Sequence, residues 1–251
     1  MDIEQAKYEK LWKMDTYRRF SPGEKIAHVF LEVAKHCKGI QKTVLDAGCG
    51  TGRGGLKIFR ESNSRVTFLD FTSDPLDSAA KLLVRNGTAA FVQQSLIDDI
   101  TLPRFDYVYC TDVMEHIPPE DVDTVLSNIL SAGDRVFIQL STVPDGMGVL
   151  IGEKLHLTIE QPEWWQEKIE SLGSTIIDSA VKHTACWFYC EGTVKVPRES
   201  VDKDVEERET QGETNPADIV TEDVSNVQTE ESPTVTQEET SNADETTNNA
   251  G

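Results

Sequence analysis

Thr43-Val44-Leu45-Asp46-Ala47-Gly48-Cys49-Gly50-Thr51-Gly52 decides the fold. A short apolar run ends in an aspartate and an alanine, and glycines then recur at every second position. The run has the length of a buried strand. The glycines let the chain turn sharply and bring its backbone close to a ligand without Cβ clashes. From Gly54 to Phe59 the pattern is that of a helix opening. Strand, glycine turn and helix together read as the first unit of a nucleotide-binding α/β sheet.

Outward from this unit, strands and helices alternate. Upstream, Ser21-Pro22-Gly23-Glu24 has the form of a capping box, followed by Ile26, Val29, Phe30 and Val33 at helical spacing. Downstream, strands are expected at Val66 to Leu69, Ala89 to Val92, Tyr107 to Cys110 and Arg135 to Leu140. Helices are expected to open at Asp74-Pro75, Pro118-Pro119-Glu120 and Pro162. Thr175 to Ile177 and Trp187 to Tyr189 read as two closing strands. This order argues for an open, doubly wound α/β sheet that binds ligands at the carboxyl ends of its strands.

The glycine turn admits two nucleotides. Gly50-Thr51-Gly52-Arg53-Gly54-Gly55 satisfies the dinucleotide pattern, with Asp70 about 20 residues further on. Asp46 argues against it. A dinucleotide rests its pyrophosphate on the turn and the following helix N-terminus. A carboxylate at the strand end opposes that charge but suits S-adenosylmethionine (SAM), which has no phosphate and carries a sulfonium and an amino group. Asp70 ends the second strand, where a carboxylate can accept both ribose hydroxyls of either ligand.

Val44 to Gly52 resembles motif I of the class I SAM-dependent methyltransferases, and Thr111-Asp112-Val113-Met114-Glu115-His116-Ile117-Pro118 resembles the segment after their fourth strand. The resemblance covers residues from about 5 to 192 and is closest to small bacterial and bacteriophage members. It implies a seven-stranded, mostly parallel sheet whose last strand is antiparallel. It also implies that SAM is held by Asp46, Gly48, Cys49, Gly50, Gly52 and Asp112 on the methionine side, with Asp70 at the ribose, Phe71 packed on the adenine and Ser95 and Leu96 at its edge. Where the family usually has an acid before the adenine loop, this chain has Ser95, a weaker acceptor. An N-terminal helical lid, residues 1–40, would bring Tyr8, Trp12, Tyr17 and Arg18 over the cofactor, with Tyr17 or Arg18 on the SAM carboxylate; an amphipathic helix packed on the sheet is the other reading of that stretch. Trp164 and Trp165 fall where the family carries acceptor specificity, one expected in the core and the other over the acceptor.

Candidates for a catalytic base are His116, Glu115 and His156, with His116 favoured because an imidazole takes a proton near neutral pH. The alternative for the Glu-His pair is to orient the loop and cap the next helix. Asp112, Glu115, His116 and His156 also form a possible metal-ligand set, similar to clusters that bind a divalent ion in ubiquinone-pathway O-methyltransferases and small-RNA terminal 2′-O-methyltransferases. The base reading is adopted and no metal is assigned. Cys186 and Cys190 share one face of a strand and suit core packing better than zinc.

The net charge of −20 is uneven: Glu199 to Gly251 holds 16 acidic and 2 basic residues and has no Trp, Phe, Tyr or Leu. Such a segment cannot bury enough apolar surface to order itself, so residues 198–251 are expected to be a disordered acidic tail of unknown partner, after a methyltransferase domain at 41–197. Neither part has a basic block to follow a phosphate backbone, and no apolar run is long enough to cross a bilayer. No duplex nucleic acid and no membrane partner is expected. Five scattered cysteines fit reduced thiols in a cytoplasmic protein. The strand-four segment lacks the Pro-Pro-aromatic motif of adenine N6 chemistry. The resulting expectation is an enzyme that methylates a small-molecule or sugar-like acceptor, with oxygen the favoured atom. The alternatives are a non-catalytic SAM-fold scaffold docking through its tail and an NAD-dependent oxidoreductase.

Overall fold

The computed structural model describes residues 3–19, 21–35 and 41–194. The acidic tail expected from residue 198 onward lies outside them. Three N-terminal helices, α1 (Ile3–Leu11), α2 (Asp15–Arg19) and α3 (Pro22–Val33), precede the sheet. Then follow β1 (Lys42–Ala47), α4 (Arg53–Glu61), β2 (Ser64–Asp70), α5 (Ser78–Arg85), β3 (Ala90–Gln93), β4 (Phe105–Thr111), α6 (Val122–Ser131), β5 (Gly133–Ser141), α7 (Pro162–Ser171), β6 (Ile176–Val181) and β7 (Ala185–Glu191).

The seven strands lie in the order β3-β2-β1-β4-β5-β7-β6. All pairings are parallel except those of β7, which runs antiparallel to both β5 and β6. This is the seven-stranded, doubly wound Rossmann-like methyltransferase fold. The chain leaves β1 toward β2 on one side, while β4 docks on the other. That reversal opens a crevice at the carboxyl ends of β1 and β4.

Strand alternation sorts the core into two layers. Leu45, Leu69, Val108, Val136 and Ile138 pack under α6 and α7, with Leu126, Ile129 and Trp165 filling that side. Val44, Val66, Phe68, Tyr107 and Phe137 pack under α3 and α4, with Phe30 and Ile58 filling the other. Val122, Val125, Ile129 and Leu130, the helical stripe expected from the sequence, are all buried. Cys186 and Cys190 are buried in the first layer, in keeping with a packing role.

Of two helix starts near the glycine turn, α3 begins as expected, with Ser21 at its N-cap and Pro22 opening the helix, and differs only in its capping bond. Ser21 makes no capping hydrogen bond to α3; its hydroxyl meets that of Thr51 at 3.3 Å instead. The helix expected from Asp74-Pro75 begins at Ser78, capped by Asp77, whose Oδ1 accepts from Ala79 N at 3.2 Å. Asp77 wins because it is held twice more: its amide donates to Thr51 O and its carboxylate pairs with Arg53 Nε at 3.0 Å. Both departures tie neighbouring segments to the glycine turn. Among the described residues, no helix is long and apolar enough to cross a membrane.

Candidate active site

A cavity of about 590 Å³ sits at the carboxyl ends of β1, β2 and β4. That is within the usual range for a small-molecule site. Its floor is the glycine turn. Asp46 is the penultimate residue of β1 and is buried. Its Oδ2 accepts from Gly55 N in the first turn of α4 at 2.8 Å. The protein's own carboxylate thus fills the helix N-terminus, where a pyrophosphate would otherwise rest. Burial pushes the Asp46 pKa up to about 7 despite that hydrogen bond.

The turn needs glycine at two points. Gly48 has φ +69°, and a Cβ there would come within 2.5 Å of Val113. Gly50 has φ +49° and lies under Trp12, whose ring would meet a Cβ at 3.2 Å. Asp70, at the end of β2, braces the turn: its Oδ2 accepts from Gly50 N at 2.8 Å and its Oδ1 from Thr72 N at 3.2 Å. With Phe71 N as a third backbone donor, the two oxygens, with about four lone-pair sites, still have acceptor capacity for a ligand hydroxyl. Burial raises the Asp70 pKa to about 6. Cys49 lines the cavity with a thiol pushed up by burial, so it is inert at neutral pH. Gly52 is not among the lining residues; it stands behind the turn as the N-cap of α4.

Phe71, Ser95 and Leu96 also line the cavity, as expected. The face of Phe71 is met edge-on by Tyr8, with ring centroids 5.9 Å apart. Ser95 Oγ accepts from Ile97 N at 3.3 Å. The loop holding Ser95 and Leu96 is pinned by Asn128 of α6, whose Nδ2 donates to the carbonyls of Leu96, Ile97 and Asp98. No sequence motif marked Asn128; its one polar side chain on the buried stripe of a helix was the available signal.

The N-terminal helical segment places Tyr8, Trp12 and Tyr17 in the cavity wall, but not Arg18. Trp12 and Tyr17 meet edge to face at 4.8 Å. Burial, reinforced by Asp145 and Asp112, raises the Tyr17 phenol far above its ordinary value, so it stays a hydrogen-bond donor. Neither Trp164 nor Trp165 reaches the cavity. Trp165 is fully buried, and Trp164 packs against it with Lys168 over its ring. The tryptophan over the site is Trp12.

On the opposite wall, Asp112 has φ +52°, a conformation that costs a non-glycine residue roughly 1–3 kcal/mol. Its amide donates to Gln139 O at 3.0 Å, and the Gln139 side-chain amide, with nitrogen toward the carboxylate, donates to Oδ2 at 3.0 Å. Asp112 is therefore tied to β5 and is not part of the cluster that Glu115, His116 and His156 form. Glu115, His116 and His156 do come together, with one donor atom of each within 4.8 Å of the others. The segment from Leu155 to Thr158 is stitched to the Glu115 turn. Glu115 O accepts from Leu157 N and Thr158 N, and Thr158 Oγ1 donates to Ile117 O at 2.7 Å.

Each histidine points its Nδ1 at a backbone carbonyl: His116 at Leu155 O, 3.0 Å, and His156 at Val143 O, 2.6 Å. Nδ1 must carry the proton in both, which leaves the Nε2 lone pairs available. Burial, with His156 alongside, pushes the His116 pKa down to about 4, so the ring is neutral and only weakly basic. Glu115 is fully buried and does not line the cavity. Its Oε1 accepts from Ser141 N at 2.8 Å, while Oε2 has no partner among the described residues. Two imidazoles that spend Nδ1 on backbone carbonyls and a buried glutamate with an unmatched oxygen fit a divalent cation. Asp145, which the sequence did not mark, lines the cavity on the loop that carries His156.

Residues 44–132 match the model of a methyltransferase domain family. The chain is 32% identical over 141 residues to a ubiquinone biosynthesis O-methyltransferase of Serratia proteamaculans, covering 53% of this chain and 58% of the relative. It is 28% identical over 163 residues to a carboxy-S-adenosyl-L-methionine synthase of Shewanella amazonensis, covering 61% and 67%. The chain thus spans only about half the length of the O-methyltransferases it matches. Among solved structures, the 1,6-didemethyltoxoflavin-N1-methyltransferase of Burkholderia thailandensis, with S-adenosylhomocysteine bound, superposes with a TM-score of 0.51 at 24% identity, over 68% of this chain and 77% of that one. The magnesium protoporphyrin IX methyltransferase of Synechocystis, with the same product bound, gives 0.53 at 16% identity, over 75% and 94%.

Proposed function

We propose that this chain, a class I SAM-dependent methyltransferase by fold and domain match, binds SAM in the 590 Å³ cavity and transfers its methyl group to a small-molecule acceptor, at oxygen. The observation that carries the reading is the seat of Asp46. Its carboxylate already occupies the N-terminus of α4, which disfavours a dinucleotide and suits a cationic ligand. Asp70 keeps acceptor capacity for ribose hydroxyls, Phe71 and the loop held by Asn128 flank the base, and Tyr17 offers a donor for the carboxylate.

Bound there, SAM supplies a methyl group on a sulfonium, released as the carbon–sulfur bond breaks with its electron pair going to sulfur. The protein's own part is alignment and exclusion of water. Trp12, Tyr8 and Tyr17 cover the cavity, and the stitched Glu115–Thr158 segments hold the two Nε2 atoms in fixed places. His116 Nε2 accepts the acceptor's proton in the simplest account.

The weak basicity of His116 favours a second account, in which Glu115, His116 and His156 hold a divalent cation that acidifies the acceptor hydroxyl. Purified protein incubated with methyl-labelled SAM and a metabolite extract is expected to label a small molecule. A rise in turnover of tenfold or more on adding magnesium to chelated protein supports the cation account; no change removes it. A chain that binds no SAM removes the proposal itself.

A further inference from the structure

The wall of the cavity carries Asp46, Asp70, Asp112, Glu120, Asp121 and Asp145 and, among the described residues, no lysine or arginine. Two of these carboxylates belong to the cofactor side, where Asp46 and Asp70 hold Gly55 N and Gly50 N. Asp112 belongs with the methionine side, while Glu120, Asp121 and Asp145 lie on the segments that carry His116 and His156. Glu120 and Asp121 follow Pro118 and Pro119 on the turn after His116, and both line the cavity. Asp145 stands on the loop that carries His156, its oxygens capping Met147 N and Gly148 N, and its charge reaches both Tyr17 and His116. SAM itself brings a single net positive charge, fewer than the carboxylates it meets.

We infer that the acceptor side of this cavity selects by charge, taking neutral or cationic acceptors and turning away those with a carboxylate or phosphate next to the reacting atom. The inference rests on the methyl-transfer reading above. Its physical basis is that a charge desolvated among like charges without a counter-ion is strongly disfavoured.

The cofactor serves as the charge probe, so no acceptor need be known. Full-length protein is titrated calorimetrically, in buffer with chelator, against three ligands that differ at that carbon. SAM carries a plain methyl group, sinefungin carries an ammonium-bearing carbon, and carboxy-SAM carries a carboxylate. Carboxy-SAM is expected to bind at least about tenfold more weakly than SAM, and sinefungin at least as tightly as SAM. In Asp145→Asn, and separately in Glu120→Gln, the gap between SAM and carboxy-SAM is expected to shrink about threefold. The Glu120 site is exposed, so that variant does not depend on the Asp145 turn. Carboxy-SAM binding within twofold of SAM overturns the inference and leaves the methyl-transfer reading standing. So does equal weakening of sinefungin and carboxy-SAM, which would mean size and not charge, or a gap that neither variant alters. Failure of SAM itself to bind takes down the reading and the inference together.

Discussion

The two sides of the cavity are built by different means. The cofactor side is local: β1, the glycine turn and the end of β2 lie within Thr43 to Thr72, and its two buried aspartates are tied to amides of the same βαβ unit. The acceptor side is assembled at a distance. His116 and His156 stand 40 positions apart in sequence and meet because backbone carbonyls of Leu155 and Val143 fix their rings. The contrast teaches that the first side fixes what is bound and the second fixes what is done with it. Substitutions on one side should leave the other measurement nearly intact.

The largest effect is expected from Asp70→Ala. It removes the brace on Gly50 N and the ribose acceptor together, and SAM affinity should fall by about a hundredfold or more, equivalent to some 3 kcal/mol. A loss below fivefold, read by calorimetry, would break the claim that Asp70 anchors the cofactor side. Next comes His156→Ala. Turnover of an identified acceptor should drop by roughly 10- to 100-fold while SAM affinity stays within about twofold. If SAM binding fell as far as in Asp70→Ala, the two sides would not be separable.

The smallest effect is one of pH, and it runs in opposite directions for stability and for binding. Burial raises Asp46 to about 7 and Asp70 to about 6 in the folded protein. In the unfolded chain they titrate near ~3.9. Between those values the folded state holds the extra protons, so the ligand-free protein should lose stability as pH rises from about 4 to about 7. A cationic ligand favours the ionised carboxylates, so SAM affinity should rise by about tenfold between pH ~5.5 and ~7.5. Thermal melts and titrations at matched pH check both signs. Parallel trends would contradict the assignment.

This division also explains how much could be read before the structure. The order of strands and helices, Gly48, Gly50, Asp46 and Asp70 were legible because their constraints act over a few residues: a turn, a strand end, a helix start. Even there the role of Asp46 sharpened, since its carboxylate caps α4 as well as lining the cavity. The missing capping bond of Ser21 and the displaced helix start at Asp74 have the complementary reason. Their local pattern fits a helix cap, but a partner remote in sequence, Thr51 or Arg53, decides the geometry. Asn128 and Asp145 carried no motif, because each acts on a segment it meets only in the folded chain. The tryptophan expected over the acceptor from the Trp164-Trp165 pair does not line the cavity, whereas Trp12, expected over the cofactor, does.

The central claim is that the glycine turn, with Asp46 in the helix seat and Asp70 beside it, is a SAM site. Calorimetric titration of the full chain with SAM, and in parallel with NAD, tests it most directly. The account predicts one saturable site for SAM, lost in Asp70→Ala, and no binding of NAD. Binding of NAD that SAM does not displace, or no binding of SAM at all, would contradict it.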